Sequence, residues 1–341
     1  MIEIDGSLGE GGGQVLRSSL TLSLITGKEC IIKNIRSRRK KAGLRPQHQK
    51  AVLAAKKISN ADVAGNYLSS TEVYFNPQKN HSGRFKIDIG TAGSTSLIIQ
   101  TIYLPLCLIN TKSSILLTGG THTLWAPCFH YLKYNWLPFL MKLGIDIDLE
   151  LLEAGYYPQG GGRVRATIKP SQKILPLRLD ERGELLEIIG ISAFSNLDPD
   201  IGYRQKTRAY RRLTHRTENI KISTQKLPSK NKGTMLLLLA KFSNSICCFY
   251  SLGEPGKPAE KVADEAVDEL ENFLQTSGAV DQYMADQLLL PLCIADGPST
   301  YTTNRVTMHL RTNAEVIKKF LPRDIRISGD INTPGRIEIS P

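Results

Sequence analysis

His309 is the side chain in this sequence best suited to covalent chemistry, because a neutral imidazole is a nucleophile able to attack phosphorus. It lies in Val306-Thr307-Met308-His309-Leu310, whose alternating pattern predicts a strand. A strand histidine taken alone is more often an ordinary polar-face or core residue. The company of other groups decides its weight. Gly9-Glu10-Gly11-Gly12-Gly13-Gln14 precedes an amphipathic helix carrying Val15, Leu16, Leu20, Leu22 and Ile25. Such a turn lets backbone N–H groups approach an anion at a helix N-terminus. No Gly-Lys-Ser/Thr follows, so it is not a Walker loop. Arg17 lies one turn inside, and Glu10 offers a hard oxygen ligand for a divalent ion beside phosphates.

Two basic segments follow. Arg36-Ser37-Arg38-Arg39-Lys40-Lys41-Ala42-Gly43-Leu44-Arg45-Pro46-Gln47-His48 leads directly into a helix, which suits a terminal phosphate. Tyr203-Arg204-Gln205-Lys206-Thr207-Arg208, continuing to Tyr210-Arg211-Arg212, interleaves arginine with tyrosine. That stripe reads equally as a contact for single-stranded RNA or as a solvated helix face. Tyr283-Met284-Ala285-Asp286-Gln287 places an aromatic ring, a carboxylate and an amide within about one turn, a set able to grip a nucleoside or simply to begin a core helix.

The elements that must position these residues recur. A first unit has strands over 2–4 and 30–35 and helices over 14–25 and 47–59. A second has strands over 85–89 and 114–118, helices over 95–108 and 127–143, and a Gly119-Gly120 turn. A third copy is expected to open with strands over 146–152 and 163–168, joined through Gly160-Gly161-Gly162. Its helices, over 281–295 and 313–320, would flank a His309 strand. The intervening block has its own strands (186–192, 235–240, 246–250) and helices (203–214, 258–276). The expected fold is therefore α/β: a large domain of three repeated two-helix/β-sheet units, over 1–185 and 279–341, with a smaller inserted α/β domain over 186–278.

At 341 residues the chain can bury a substantial core. Lys plus Arg number 44 against 32 acidic residues, and the +12 balance favours a polyanionic partner. Cys30, Cys107, Cys128, Cys247, Cys248 and Cys293 show no metal-binding spacing and read as small core residues of a reduced protein. No apolar run reaches membrane-spanning length and no leader pattern opens the sequence, so a cytoplasmic location is expected.

Together these segments resemble the RNA 3′-terminal phosphate cyclase family. The likeness runs nearly end to end: Asp5-Gly6 with the glycine turn and Arg17; Gly43-Leu44-Arg45-Pro46-Gln47-His48; Gly93-Ser94 with Gln100; Gly119-Gly120-Thr121; Tyr157-Pro158 with Gly160-Gly161-Gly162; Gly253-Glu254 with Pro258-Ala259-Glu260; Ala285-Asp286-Gln287; and His309. The resemblance implies use of ATP and a divalent metal, Mg2+ or Mn2+, on RNA with a 3′-terminal phosphate. It implies that His309 accepts AMP and passes it to the RNA phosphate, whose neighbouring 2′-hydroxyl then closes a 2′,3′-cyclic phosphate. By the same resemblance Gln100, Pro127, Tyr283, Met284, Ala285, Asp286 and Gln287 match an adenylate pocket. Glu10 matches a metal or ATP-phosphate contact, and Arg17, Arg36, Arg39, Gln47 and His48 match positions around the phosphates and RNA end. Ala42, Met284, His122 and His130 depart from the residues usual in the family, which leaves the roles of the 121–130 loop open. Two rivals are a noncatalytic cyclase-like RNA-processing factor, against which His309 argues, and an enolpyruvyl transferase, which would not need that histidine.

Overall fold

A computed structural model describes residues 1–341 as a mixed α/β chain with four four-stranded sheets. The first sheet and its helices use β1 (Ile2–Asp5), α1 (Gly13–Thr26), β2 (Cys30–Lys33), α2 (Pro46–Ser59), β3 (Asp62–Ala64) and β4 (Val73–Asn76). The second uses β5 (Arg84–Asp88), α3 (Thr95–Cys107), β6 (Ser113–Gly119), α4 (Phe129–Tyr131), a π turn over Leu132–Trp136, α5 (Leu137–Lys142), β7 (Ile147–Glu153) and β8 (Gly162–Ile168). After β9 (Arg178–Leu179) come β10 (Leu185–Ser195), α6 (Pro199–Leu213), β11 (Ile220–Lys226), β12 (Gly233–Phe242), β13 (Ile246–Leu252) and α7 (Ala259–Leu274). The chain ends with α8 (Gln282–Cys293), β14 (Ser299–Thr303), α9 (Met308–Phe320), β15 (Asp324–Ser328) and β16 (Gly335–Ser340).

The sheets run β1-β2-β4-β3, β5-β6-β8-β7, β9-β14-β16-β15 and β11-β10-β12-β13. In the first three the first two strands by sequence pair parallel and the remaining pairs are antiparallel. The strands over 146–152 and 163–168, expected to open a third unit, instead complete the second sheet as β7 and β8 against β6. The third sheet is built from β9 and the C-terminal strands, which are short and rich in Ser, Thr and Arg, so hydrophobic alternation marks them weakly.

Helices α1, α2, α3 and α9 pack on one another. α3 is buried over most of its circumference, with Ile98, Ile99, Ile102, Leu104 and Leu106 all inside, as a central helix must be. α1 buries hydroxyls as well. Ser19 and Thr21 donate back to the carbonyls of Val15 and Arg17 at 2.8 and 2.9 Å, so their polarity is satisfied inside the helix.

Between β9 and α8 the chain forms a sheet covered on both faces, and β12 shows how. Leu236, Leu238 and Ala240 point into a 16-residue cluster with α6 and α7, whereas Met235, Leu237 and Leu239 point into the main core. The six cysteines are free and buried, and no helix is long and apolar enough to cross a membrane.

Candidate active site

The glycine turn exists because backbone alone fits there. Gly9 (φ 57°) and Gly11 (φ 58°) adopt the left-handed conformation, and a Cβ on Gly9 would collide with the Thr312 hydroxyl of α9. A Cβ on Gly13 would likewise meet the His48 ring. Gly12 caps α1 without a side-chain bond, so the first N–H groups of a 14-residue helix face the turn uncapped. Arg38 Nη1 braces the turn by donating to Gly9 O at 3.2 Å.

His309 stands at the start of α9, not on a strand. Thr307 caps the helix by accepting from Leu310 N at 3.1 Å, and the buried series Leu310, Ala314, Ile317 and Phe320 has helical spacing. Five alternating residues fit either period, and the threonine cap decides for the helix. The imidazole is 43% exposed, with Nδ1 3.4 Å from Glu10 Oε1. Glu10 Oε2 accepts from Arg39 Nη2 at 3.2 Å. A shallow cleft lined by Leu8, Glu10, Gly12, Gln14, His309 and Thr312 joins the two chain ends.

Beside this cleft His48 Nδ1 accepts from Arg45 N at 3.2 Å, which leaves the ring proton on Nε2, directed at the glycine turn. Burial, reinforced by Arg17, Arg36 and Arg45, pushes its pKa down to about 3, so the ring is neutral. Burial also lowers Arg17 to about 10, partly offset by Asp286. Arg36 donates to the carbonyls of Lys41 and Gly43 at 3.0 and 3.4 Å and so shapes the basic loop. Gln47 Oε1 accepts from Ser94 N at 3.2 Å, while its Nε2 is buried without a partner. An anion seated there would satisfy that donor.

A second group centres on the first turns of α8. Asp286 Oδ2 accepts from Gln14 Nε2 at 3.0 Å, and burial pushes the carboxyl up to about 7 against the opposing pull of Arg17. Gln287 Oε1 accepts from Gln100 Nε2 at 2.6 Å. Tyr283 is exposed, and Pro127 is half-buried beside Ala126, whose carbonyl accepts from Tyr250 at 2.8 Å. Met284 and Ala285 are fully buried, so their side chains pack the core and do not face a ligand. Their apolar character serves the helix, and only its exposed neighbours remain for recognition.

Sequence reasoning missed several supporting residues. Asn313 donates to Asp286 O at 3.0 Å and accepts from Ser18 at 2.7 Å, tying α1, α8 and α9 together. Asp281 caps α8 and takes bonds from Tyr131 and Asn135 at 3.0 and 2.8 Å. These are links between distant segments, and no local pattern signals them.

The arginine stripe of α6 is largely consumed internally. Arg204 pairs with Glu260, Arg208 with Asp264, and Arg212 with Asp264, Asp268 and Glu271 of α7. In the 121–130 loop, His122 and His130 are buried and share a 2.8 Å hydrogen bond, and His122 also bonds Thr121 at 2.7 Å. Burial holds both rings neutral, with His130 down to about 4.

No group of three or more His, Cys, Asp or Glu side chains is placed to hold a metal. Glu10 is a single carboxylate, which fits an ion that arrives largely coordinated by phosphates and water.

A family model described as RNA 3′-terminal phosphate cyclase matches residues 8–327. A protein of Archaeoglobus fulgidus named RNA 3′-terminal phosphate cyclase is 42% identical over 97% of this chain and 98% of its own. Proteins of the same name from Sulfurisphaera tokodaii and Caldivirga maquilingensis are 43% and 40% identical, covering 97% and 100% of this chain and 97% and 98% of theirs. The solved enolpyruvyl transferase NikO from Streptomyces tendae, 11% identical, covers 98% of this chain and 81% of its own at a TM-score of 0.22, too low to bear on the fold.

Proposed function

The chain belongs to the RNA 3′-terminal phosphate cyclase family, and from that premise we propose that it uses ATP to convert an RNA 3′-phosphate into a 2′,3′-cyclic phosphate through a histidine–AMP adduct. The observation that carries this reading is the placing of His309 and Glu10, from opposite ends of the chain, over the uncapped start of α1.

Glu10 Oε1 lies 3.4 Å from Nδ1 of the ring, close enough to orient the imidazole so that Nε2 serves as the nucleophile. Nε2 attacks the α-phosphorus of ATP, a P–N bond forms, and pyrophosphate departs. The N–H groups at the head of α1, with Arg17 and His48 Nε2–H, neutralise phosphate charge in place. Asp286, Gln287, Gln100, Tyr283 and Pro127 hold the nucleoside; Met284 and Ala285 act only by packing the helix that presents them. A divalent ion, Mg2+ or Mn2+, would be held by Glu10 and would screen phosphate charge. Arg36 shapes, and Arg39 lines, the approach of the RNA phosphate, with Gln47 offering its unpartnered amide.

The phosphate oxygen then attacks the adenylyl phosphorus, the P–N bond breaks, and RNA(3′)pp(5′)A leaves His309. The adjacent 2′-hydroxyl attacks the RNA phosphorus and expels AMP. Activation is needed because an unmodified phosphate has no good leaving group, and closure is favoured because the hydroxyl is already adjacent. We further read the first three sheets with their helix pairs as three copies of one unit and residues 186–278 as an inserted domain.

Incubating the protein with ATP, a divalent ion and RNA carrying a labelled 3′-phosphate tests this directly. Label becoming resistant to phosphatase as a 2′,3′-cyclic phosphate is expected, whereas a terminal 2′-deoxy substrate should stop at the (3′)pp(5′)A stage and yield no cyclic phosphate on chromatography. Unchanged sensitivity of the ribose substrate would overturn the reading.

A further inference from the structure

The connection from β11 to β12, two strands of the inserted sheet, reaches across to touch the large core, and this crossing is firmly held. Ala154 N donates to Pro228 O at 2.7 Å, Ser229 Oγ to Ala154 O at 2.8 Å, and Asn231 Nδ2 to Gly160 O at 2.6 Å. Asn196 adds bonds to Ser229 O and Asn231 O at 2.8 and 3.1 Å. Gly160 (φ 69°) lies so close to Thr91 and Ala92 that a Cβ would sit 2.7 Å from Ala92 Cα. Two residues on, Ser94 N is held by Gln47, next to His48. Direct contacts therefore link this crossing, step by step, to the glycine turn.

The crossing carries Lys226, Lys230 and Lys232, all exposed. None forms an ion pair, whereas Lys221 and Lys241, toward the other end of the same sheet, both pair with Glu187, at 2.9 and 3.1 Å. Neighbouring carboxylates Glu153 and Asp198 do not reach them. The turn bonded to the crossing presents Tyr157, 73% exposed. Free cations on an ordered backbone beside an exposed ring match the chemistry of single-stranded nucleic acid, with phosphates on the cations and a base on the ring.

We propose that residues 226–232 and Tyr157 form a docking surface for the single-stranded RNA that leads up to the 3′ end. This rests on the cyclase reading above and adds where the strand behind the reacting phosphate runs. It also assigns the inserted block a role that Arg204, Arg208 and Arg212 of α6, already paired, do not fill.

The test compares the wild type with a Lys226→Ala/Lys230→Ala/Lys232→Ala variant. Affinity for a single-stranded RNA of about twelve nucleotides with a 3′-phosphate is read by fluorescence anisotropy across salt. Each lost phosphate contact flattens the salt slope by roughly 0.7, so a loss of about 2 is expected, with affinity falling about tenfold at low salt. Tyr157→Ala should weaken binding roughly tenfold with the salt slope unchanged. A triple lysine-to-arginine variant should restore binding, while KM for a dinucleotide 3′-phosphate and self-adenylylation stay at wild-type values. Unchanged affinity and slope in the alanine variant would overturn the surface, including the case where the same lysines prove to hold an acidic protein. Loss of RNA binding in a protein that never forms an adenylate would leave the surface standing and sink the cyclase reading. Normal cyclisation with lysine-independent RNA binding would do the reverse.

Discussion

At the scale of single residues, Glu10 meets two partners at once, Arg39 through Oε2 and His309 through Oε1. The two contacts separate the roles of the neighbours. Arg39→Ala should spare self-adenylylation to within about twofold yet slow transfer of AMP to RNA by roughly a hundredfold, the loss expected when one positioned charge is removed from a phosphoryl transfer. Single-turnover assays of the two half-reactions check this, and an equal loss in both would contradict it. His130 gives a second prediction. Its folded pKa lies near 4, below the unfolded 6.5, so only the unfolded state takes up a proton as pH falls between those values. Its stabilising contribution is full above pH 6.5 and is lost toward pH 4, by on the order of 3 kcal/mol. His130→Gln keeps a hydrogen-bonding group but does not titrate, so its stability should fall less over that window. An identical acid profile in denaturant melts would count against the buried pair. The chemical identity of these residues was readable in the sequence, but their contacts were not. Glu10 and His309 meet only because α1 and α9 pack together, and the local pattern around His309 reads as a strand because five residues cannot distinguish two periods.

At the scale of elements, amphipathic helices such as α6 and α7 were legible to within a few residues, because their apolar stripe persists for about four turns. Short strands such as β3, β4, β14, β15 and β16 were not, since three to six residues carry little periodicity and their pairing is set by distant partners. The cluster beneath α7 tests the packing. Phe273 is fully buried, meets the rings of Phe242 and Phe249, and carries the Arg182 guanidinium 4.7 Å from its ring centroid. Phe273→Ala should cost about 3–5 kcal/mol in chemical denaturation. A loss below about 1 kcal/mol would mean that the cluster collapses around the cavity.

At the scale of the whole molecule, the +12 balance divides unevenly. Arg204, Arg208 and Arg212 of α6 are neutralised against α7, whereas the cations of the 36–45 loop and the 226–232 crossing remain largely open to solvent. Composition alone registered the excess and could not say where it was free. Raising salt from about 50 to 200 mM should therefore increase KM for a longer RNA by roughly tenfold, as expected for a few released counterions. A salt-independent KM would place RNA recognition elsewhere.

The most direct measurement is self-labelling with α-labelled ATP and a divalent ion, followed by acid and alkali treatment of the protein. Wild type should retain a label that is acid-labile and alkali-stable, as a P–N bond requires, and His309→Ala should retain none. A fully labelled His309→Ala protein would contradict the central assignment.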